Sequence, residues 1–508
     1  MKTFKVTIVG GGSSGWMTAA ALIKLCPHLD VTLVESPNIK TIGVGESTLG
    51  HINAFLDLLG LQDHDWMKAC NATYKNSIRF TNFRENNGES FEYPFVENFD
   101  LTDTCRGVNT WGNLATMWPN EFPPESFAQM YAGSNTALAK HNKISEDDAN
   151  LRHYDFHMDT AYHLDAGLFG KWLKDNIALP NGVKHLYNEI ERYVPDDDGN
   201  IKTIVCNDGD ELTSDLWIDC TGFRSQILGD WMGSDFISFE DHLANDTAWA
   251  CPVEYSDKEL EMVNVTECTA LGNGWCWNTP LWHRVGTGYA FSSKFISNED
   301  AKDEFRQYLS DKFDPERAEQ AINQARLVNF KHGYRKKAFV KNVVAIGLSC
   351  GFVEPLESTG LWTTHENITK LIEMLNRRQG YISRIEKETF NNVVEEEMIG
   401  FRSFVSMHYS LSQRTDTPYW KWCTQEVYHD DTSLRNMALH NITTERLQGP
   451  SFIIAGMGLR NNSIKEKILQ PDGLERARQK FHRHQKHLEQ YMNILPSHYE
   501  YLSENIYI

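Results

Sequence analysis

Six residues near the start of the chain, Gly10-Gly11-Gly12-Ser13-Ser14-Gly15, restrict the folds open to it more than any other stretch. They fit G-x-G-x-x-G. The β-branched run Phe4 to Val9 precedes them, and Trp16 to Leu25 reads as a helix stopped by Pro27. Val31 to Val34 is a second buried strand, which completes a βαβ unit. In such a unit Gly10 permits the tight turn, Gly12 lets backbone approach a pyrophosphate, and Gly15 lets helix and strand pack closely. Ser13 and Ser14 open the helix, whose N-terminal N–H groups stabilise phosphate. Glu35 ends the second strand, about twenty residues past Gly15, where an acid accepts from ribose hydroxyls. The stretch reads as a dinucleotide site rather than an ordinary glycine turn, and by itself it leaves NAD and FAD open.

Two later strand ends favour FAD. Asp215 to Gly222 and Asn342 to Gly347 each read as a short apolar strand closing on a small residue, and a flavin stretched across a sheet needs such backbone approach points. Elsewhere helical patterns dominate. Asp314-Pro315 looks like an N-cap with proline at the first helical position, opening a helix from Glu316 to Arg326. Thr363-x-x-Glu366 resembles a capping box before Ile368, Leu371, Ile372 and Leu375, with Gly380 as the stop. Leu474, Ala477, Phe481, His484, Leu488 and Tyr491 form a helical apolar stripe. His484 lies on that stripe and His482 off it, so these two with His487 read as packing and surface histidines, and no metal site is expected.

The charge balance removes several functions. Lys plus Arg is 49 against 69 for Asp plus Glu, a net charge of −20, which repels phosphate backbones and anionic lipid. Neither nucleic acid nor a membrane is expected as a partner. Ten cysteines without a C-x-x-C pair make neither a disulfide scaffold nor a zinc site, and suit a reduced cytoplasmic location.

The most informative stretch for chemistry is Leu271 to Pro280. Asn273-Gly274 is a hairpin signal, so period two puts Trp275 and Trp277 side by side on one face of a strand. With Pro280 they match W-x-W-x-I-P, Thr279 standing for isoleucine. This signature, the glycine turn followed by Trp16, and Gly43-Val44-Gly45-Glu46-Ser47-Thr48 together resemble the flavin-dependent halogenases of the tryptophan-halogenase family. The resemblance runs in blocks from about residue 4 to about residue 420, where Thr415-Asp416-Thr417-Pro418-Tyr419-Trp420 belongs to it.

The resemblance implies an α/β fold: a Rossmann-like FAD-binding core, similar to flavin monooxygenases, with a mostly helical substrate-side cap. The core with interleaved substrate-side strands is expected in residues 1–100 and 155–360, and the cap in 101–154 and 361–508. Gly10, Gly12, Ser13, Ser14, Gly15, Glu35 and Gly347 are expected to bind FAD. So are Gly45, Glu46 and Ser47, which lie on the family's strap between flavin and substrate. Lys75 matches the catalytic lysine, acting either by hydrogen bonding to hypohalous acid or as an N-haloamine. In Glu354-Pro355-Leu356-Glu357-Ser358-Thr359-Gly360, Glu357 matches the active-site carboxylate, and Thr359 and Gly360 the halide-binding backbone. Trp275, Trp277 and Pro280 line the passage between the two compartments.

The implied reaction uses FADH2 from a separate NAD(P)H-dependent reductase, O2 and chloride, bromide or iodide. Hypohalous acid forms at the flavin and passes the tryptophan pair to Lys75, where it halogenates an electron-rich ring. Tyr93-Pro94-Phe95 stands where tryptophan-specific members carry His-Pro-Phe, and Ser451 to Gly456 lacks their polar cluster for a free amino acid. A simpler indole, a phenol or a larger indole compound is therefore the expected substrate rather than free tryptophan. Two other readings share the core: a flavin-dependent aromatic monooxygenase, and a non-catalytic flavoprotein subunit. Trp275, Trp277 and Lys75 oppose the first, and the intact Lys75 and Glu357 oppose the second. The sequence leaves oligomeric state, including a homo-oligomer, open.

Overall fold

The computed structural model describes residues 4–39, 45–95, 108–146, 149–427, 448–459 and 471–508. The strand Phe4–Val9 lies parallel to Leu29–Glu35, with Val6 opposite Val31 and Ile8 opposite Leu33, and the helix Ser13–Leu25 connects them. Val6, Ile8 and Leu33 are fully buried, as apolar runs in a parallel sheet must be. Six strands form this sheet, in the order Phe339–Val340, Val343–Ala345, Leu216–Asp219, Phe4–Val9, Leu29–Glu35, Lys184–Tyr187. All neighbours are parallel except the Phe339–Val340 edge. This is the Rossmann-like arrangement expected from the glycine turn. Its compact unit comprises Met1–Ala72, Leu164–Glu240 and Phe330–Phe401.

Buried Asp219 shapes the end of the third strand. Its carboxylate accepts from the N–H groups of Thr221, Ile227 and Leu228 and from the Thr221 hydroxyl, at 2.6–2.9 Å. Burial nonetheless raises its pKa above the ordinary carboxylate value.

A second unit comprises Thr73–His163, Asp241–Asn329 and Arg402–Ile508. Its seven-stranded sheet runs Arg326–Asn329, Thr247–Val253, Val285–Phe291, Gly274–Pro280, Val265–Ala270, Ser77–Thr81, Ser90–Pro94, and only the Val265–Ala270/Ser77–Thr81 pair is parallel. One face packs Trp249, Cys276, Tyr289 and Phe291 against Phe305 and Leu309 of Asn298–Lys312 and Ile322 of Pro315–Asn323. A separate helical core joins Trp111, Phe127 and Phe452 to Leu474, Ala477 and Phe481 of Pro471–Met492, the residues of the predicted stripe. His482 on that helix lies 2.9 Å from Glu121, off the stripe.

Two boundaries differ from the sequence reading. Asp314 does cap a helix, accepting from the Arg317 N–H at 2.9 Å, but that helix ends at Asn323. Arg326 begins an edge strand instead, because pairing with Thr247–Val253 satisfies its backbone. The helix Gly360–Arg377 begins before Thr363, with Thr359 as its N-cap residue. Ser358 takes φ +59°, which ends the preceding turn there, so Thr363 lies inside the helix with its hydroxyl on the Gly360 carbonyl at 3.0 Å. Gly380, at φ +101°, is the expected stop. No helix among the described residues is long and apolar enough to cross a membrane.

A methyl group on Gly15 would stand 1.9 Å from the Gly10 carbonyl oxygen, whereas one on Gly12 would meet nothing within 4 Å. Gly15→Ala is expected to destabilise the fold by about 3 kcal/mol, the upper end for overpacking. Gly12→Ala should stay within about 0.5 kcal/mol of the parent. Urea denaturation midpoints check both.

Candidate active site

In the first unit the glycine turn is built by close approach. Gly10, at φ +120°, lies so near Cys220 that a methyl group would stand 2.2 Å from its carbonyl oxygen. Ser13 Oγ donates to the Ala166 carbonyl at 2.8 Å, fixing the turn to the helix Ala166–Leu173. Gly347, at φ +75°, comes against the turn from the Val343–Ala345 strand, and a methyl group there would lie 2.2 Å from Ser14 Oγ. Gly12, at the N-cap of Ser13–Leu25, alone faces open space. Bare backbone, helix N-terminus and open space fit the pyrophosphate of FAD.

Glu35 is held in place. Lys174 Nζ lies 3.3 Å and His185 Nε2 2.8 Å from its Oε2, while Lys174 also donates to Tyr187 Oη at 3.1 Å and stands over the Trp16 ring. Burial, then Lys174's charge, lowers the His185 pKa against the pull of Glu35, so the imidazole is neutral near pH 7. Sequence reasoning found Glu35 but not this pair. Lys174 lies on a helical segment with no motif, and His185 on a strand whose register only the sheet reveals.

The loop leading to Gly360–Arg377 holds Glu354 and Glu357, both buried, in and before the short turn Pro355–Glu357. Thr359 is buried and Gly360 opens the helix, so the first-turn N–H groups sit at the loop. Ser358 Oγ donates to Ser47 Oγ at 3.0 Å, joining this loop to the strand Glu46–Ser47. Gly45 is buried at φ +83°. Gly43 and Val44 lie outside the described residues.

In the second unit, Gly274–Pro280 carries Trp275 and Trp277 on one face, ring centroids 5.9 Å apart and tilted 55°. The flanking strands make room for them with small partners: Ala270 and Ala290 beside Trp275, Cys268 and Gly288 beside Trp277. The fit at Gly288 is tight, since a methyl group there would lie 2.2 Å from the Trp277 ring. Register puts Phe80, Phe91, Ile78 and Tyr93 on the same sheet face.

Lys75 is fully buried. It ends the strand Thr73–Lys75, which pairs antiparallel with Ala161–Leu164. Alternation turns Tyr74 toward Phe156, Tyr162 and Tyr501, and Thr73 the other way, where its hydroxyl donates to the Pro280 carbonyl at 2.6 Å. The lysine strand is thereby tied to the end of the tryptophan strand. Lys75 Nζ stands 4.8 Å over the Phe95 ring. Asn135 fixes Phe95 by donating to its carbonyl at 2.6 Å. Tyr93 meets Phe95 edge-on and packs on Phe404 and Phe452, while Pro94, closing the edge strand, is buried.

Two histidines around Lys75 escaped the sequence reading. His163 is fully buried between Thr73 and Thr266, and burial, then the positive charge of Lys75, holds its pKa well below the ordinary value. His498 accepts the Tyr74 N–H at Nε2 and donates from Nδ1 to the Met262 carbonyl, with burial lowering its pKa to about 4. Both are neutral near pH 7. His163 has no local signal. The Ser497-x-x-Glu500 capping box marks the helix that carries His498, but not its contact some 420 residues away.

The "Tryptophan halogenase" family model matches residues 5–452. The chain is 34% identical to the "Tryptophan 6-halogenase SttH" of Streptomyces toxytricini over 82% of this chain and 80% of that one. Among solved structures, "VirX1 apo structure" has TM-score 0.94 and 48% identity, covering 100% of both chains. A flavin-dependent halogenase from Xanthomonas campestris, Xcc4156, has TM-score 0.86 and 27% identity, covering 99% of this chain and 98% of that one.

Gly12→Ala should weaken FAD binding at least about tenfold, equal to about 1.4 kcal/mol, because its methyl group occupies the open space; a flavin fluorescence titration measures this. Gly288→Ala should displace the Trp277 indole, changing the near-UV circular dichroism and lowering stability by about 1–3 kcal/mol.

Proposed function

The chain belongs to the tryptophan halogenase family, and from that premise we propose that it halogenates an indole or phenol lacking a free amino-acid headgroup. It is a flavin-dependent halogenase that uses FADH2 from a separate reductase, together with O2 and halide. The balanced reaction is FADH2 + O2 + X⁻ + H⁺ + ArH → FAD + ArX + 2 H2O. When bound, FADH2 would activate O2 by giving it two electrons, and O2 would be the oxidant that takes two more from halide to yield hypohalous acid. The other roles fall to the chain. Gly10, Gly12, Ser13, Ser14, Gly15 and Gly347 receive the cofactor's phosphates, and Glu35 its ribose. Gly45, Glu46 and Ser47 form the strap. Thr359 and Gly360 hold halide, and Glu357 accepts the proton that the ring releases.

The burial of Lys75 over Phe95 carries this reading. A solvated surface lysine would have no such role. The Phe95 face stabilises the ammonium form, which hydrogen-bonds hypohalous acid, whereas burial favours the free amine that an N-haloamine requires. Trp275, Trp277 and Pro280 border the route to it, two stiff indoles passing a small oxidant and blocking an aromatic guest. Tyr93, Pro94 and Phe95 meet the substrate ring. The rings of Phe95, Phe404 and Phe452 pack around Tyr93, which suits an aromatic guest. The nine described cysteines are free and buried, which suits a reducing compartment such as the cytoplasm.

Reductase, NAD(P)H, FAD, O2, bromide and an indole are expected to yield a brominated product. A halide-independent oxygenated product would instead establish a monooxygenase. Lys75→Ala should lower aryl bromination roughly a thousandfold while hypobromous acid still reaches a trapping dye in solution. Undiminished bromination by that variant would remove Lys75 from the mechanism.

A further inference from the structure

We propose that halide binding by this protein is proton-coupled through Glu46, whose carboxyl group must be neutral for a halide to occupy the start of the helix Gly360–Arg377. The inference rests on the proposed halide site at Thr359 and Gly360. Its geometry lies wholly in the first unit. A methyl group on Gly360 would stand 3.9 Å from Glu46 Oε2, so that oxygen faces the first residue of the helix. The Ser358–Ser47 hydroxyl bond at 3.0 Å ties the residue next to Glu46 to the same loop. An anion on the first-turn N–H groups and an ionised Glu46 would be like charges competing for one helix end.

Other acidic residues lie around it. Asp165 caps the helix Ala166–Leu173, accepting from the Leu168 N–H at 3.0 Å, and Glu354 and Glu357 are buried on the adjoining loop. On the helix itself, burial lowers the pKa of His365 to about 3, so it brings no cation, and Cys70 beside Asp165 stays a thiol. Glu46 is half-buried, and burial first, with the charge of Asp165 second, raises its pKa to about 7. A group in that range changes charge where the enzyme works. A proton taken up with each halide also matches the one consumed in forming hypohalous acid.

The sign follows from linkage. Halide selects the protonated form, so affinity is constant below about pH 7 and falls about tenfold per pH unit above it. The test measures bromide dissociation constants of the FAD-loaded protein from bromide NMR line broadening, between about pH 6 and 9. Glu46→Gln, neutral at every pH, should show a flat profile and bind bromide about tenfold more tightly than the parent at pH 8. Bromide added to the unaltered protein in weak buffer should draw up about 0.9 proton per ion at pH 8 and about 0.1 at pH 6, a measurement that needs no variant. A pH-independent parent, or a variant that keeps the parent's slope, overturns the role of Glu46 and leaves the halide site standing. Absence of saturable bromide binding at every pH overturns the halide site itself, and this inference with it.

Discussion

Everything in the first unit depends on one backbone contact, the seating of Gly15 against the carbonyl of Gly10. No side chain fits between them. The contact sets the helix Ser13–Leu25 directly over the end of Phe4–Val9, and so aims the helix N-terminus at the bare backbone of Gly12. Neighbouring strands respect the same spacing: Cys220 closes on Gly10, and Gly347 on Ser14. The amides at that helix end are oriented in advance, which would lower the reorganisation needed to bind a phosphate.

The second unit solves a different problem, keeping a lysine out of water. An uncompensated buried ammonium is destabilised by several kcal/mol. Here the Phe95 face lies under the lysine Nζ, and burial keeps His163 and His498 neutral near pH 7. The Thr73–Pro280 hydrogen bond links this strand to the one bearing the indoles. Small partners on the flanking strands then let two large rings share one face without strain. Rigidity at both places has the same physical source, side chains fixed by packing rather than by flexible contacts.

The loop from Glu354 to Gly360 shows how one segment combines several constraints. A left-handed Ser358 stops the short turn, Thr359 begins the helix, and the Ser358 hydroxyl anchors Glu46–Ser47. Acidic side chains gather at a helix end whose first-turn N–H groups favour negative charge.

The sequence alone determined the βαβ unit, the glycine turn, the helical stripe from Leu474 to Leu488 and the shared face of Trp275 and Trp277. Each is a local property: periodicity and backbone freedom act over a few residues, so the chain displays them directly. The proposal of Lys75 as a site residue rests on resemblance, because nothing in the sequence around it predicts burial. Its desolvation, its seat over Phe95, the neutral His163 and His498, and the clamp of Lys174 and His185 on Glu35 were decided by the tertiary structure. These partners lie from twenty to more than four hundred residues apart. Local propensity ended the 316 helix and capped the 360 helix wrongly for the same reason. Strand pairing and loop latching draw on distant backbone, and only the folded chain brings that backbone within hydrogen-bond reach.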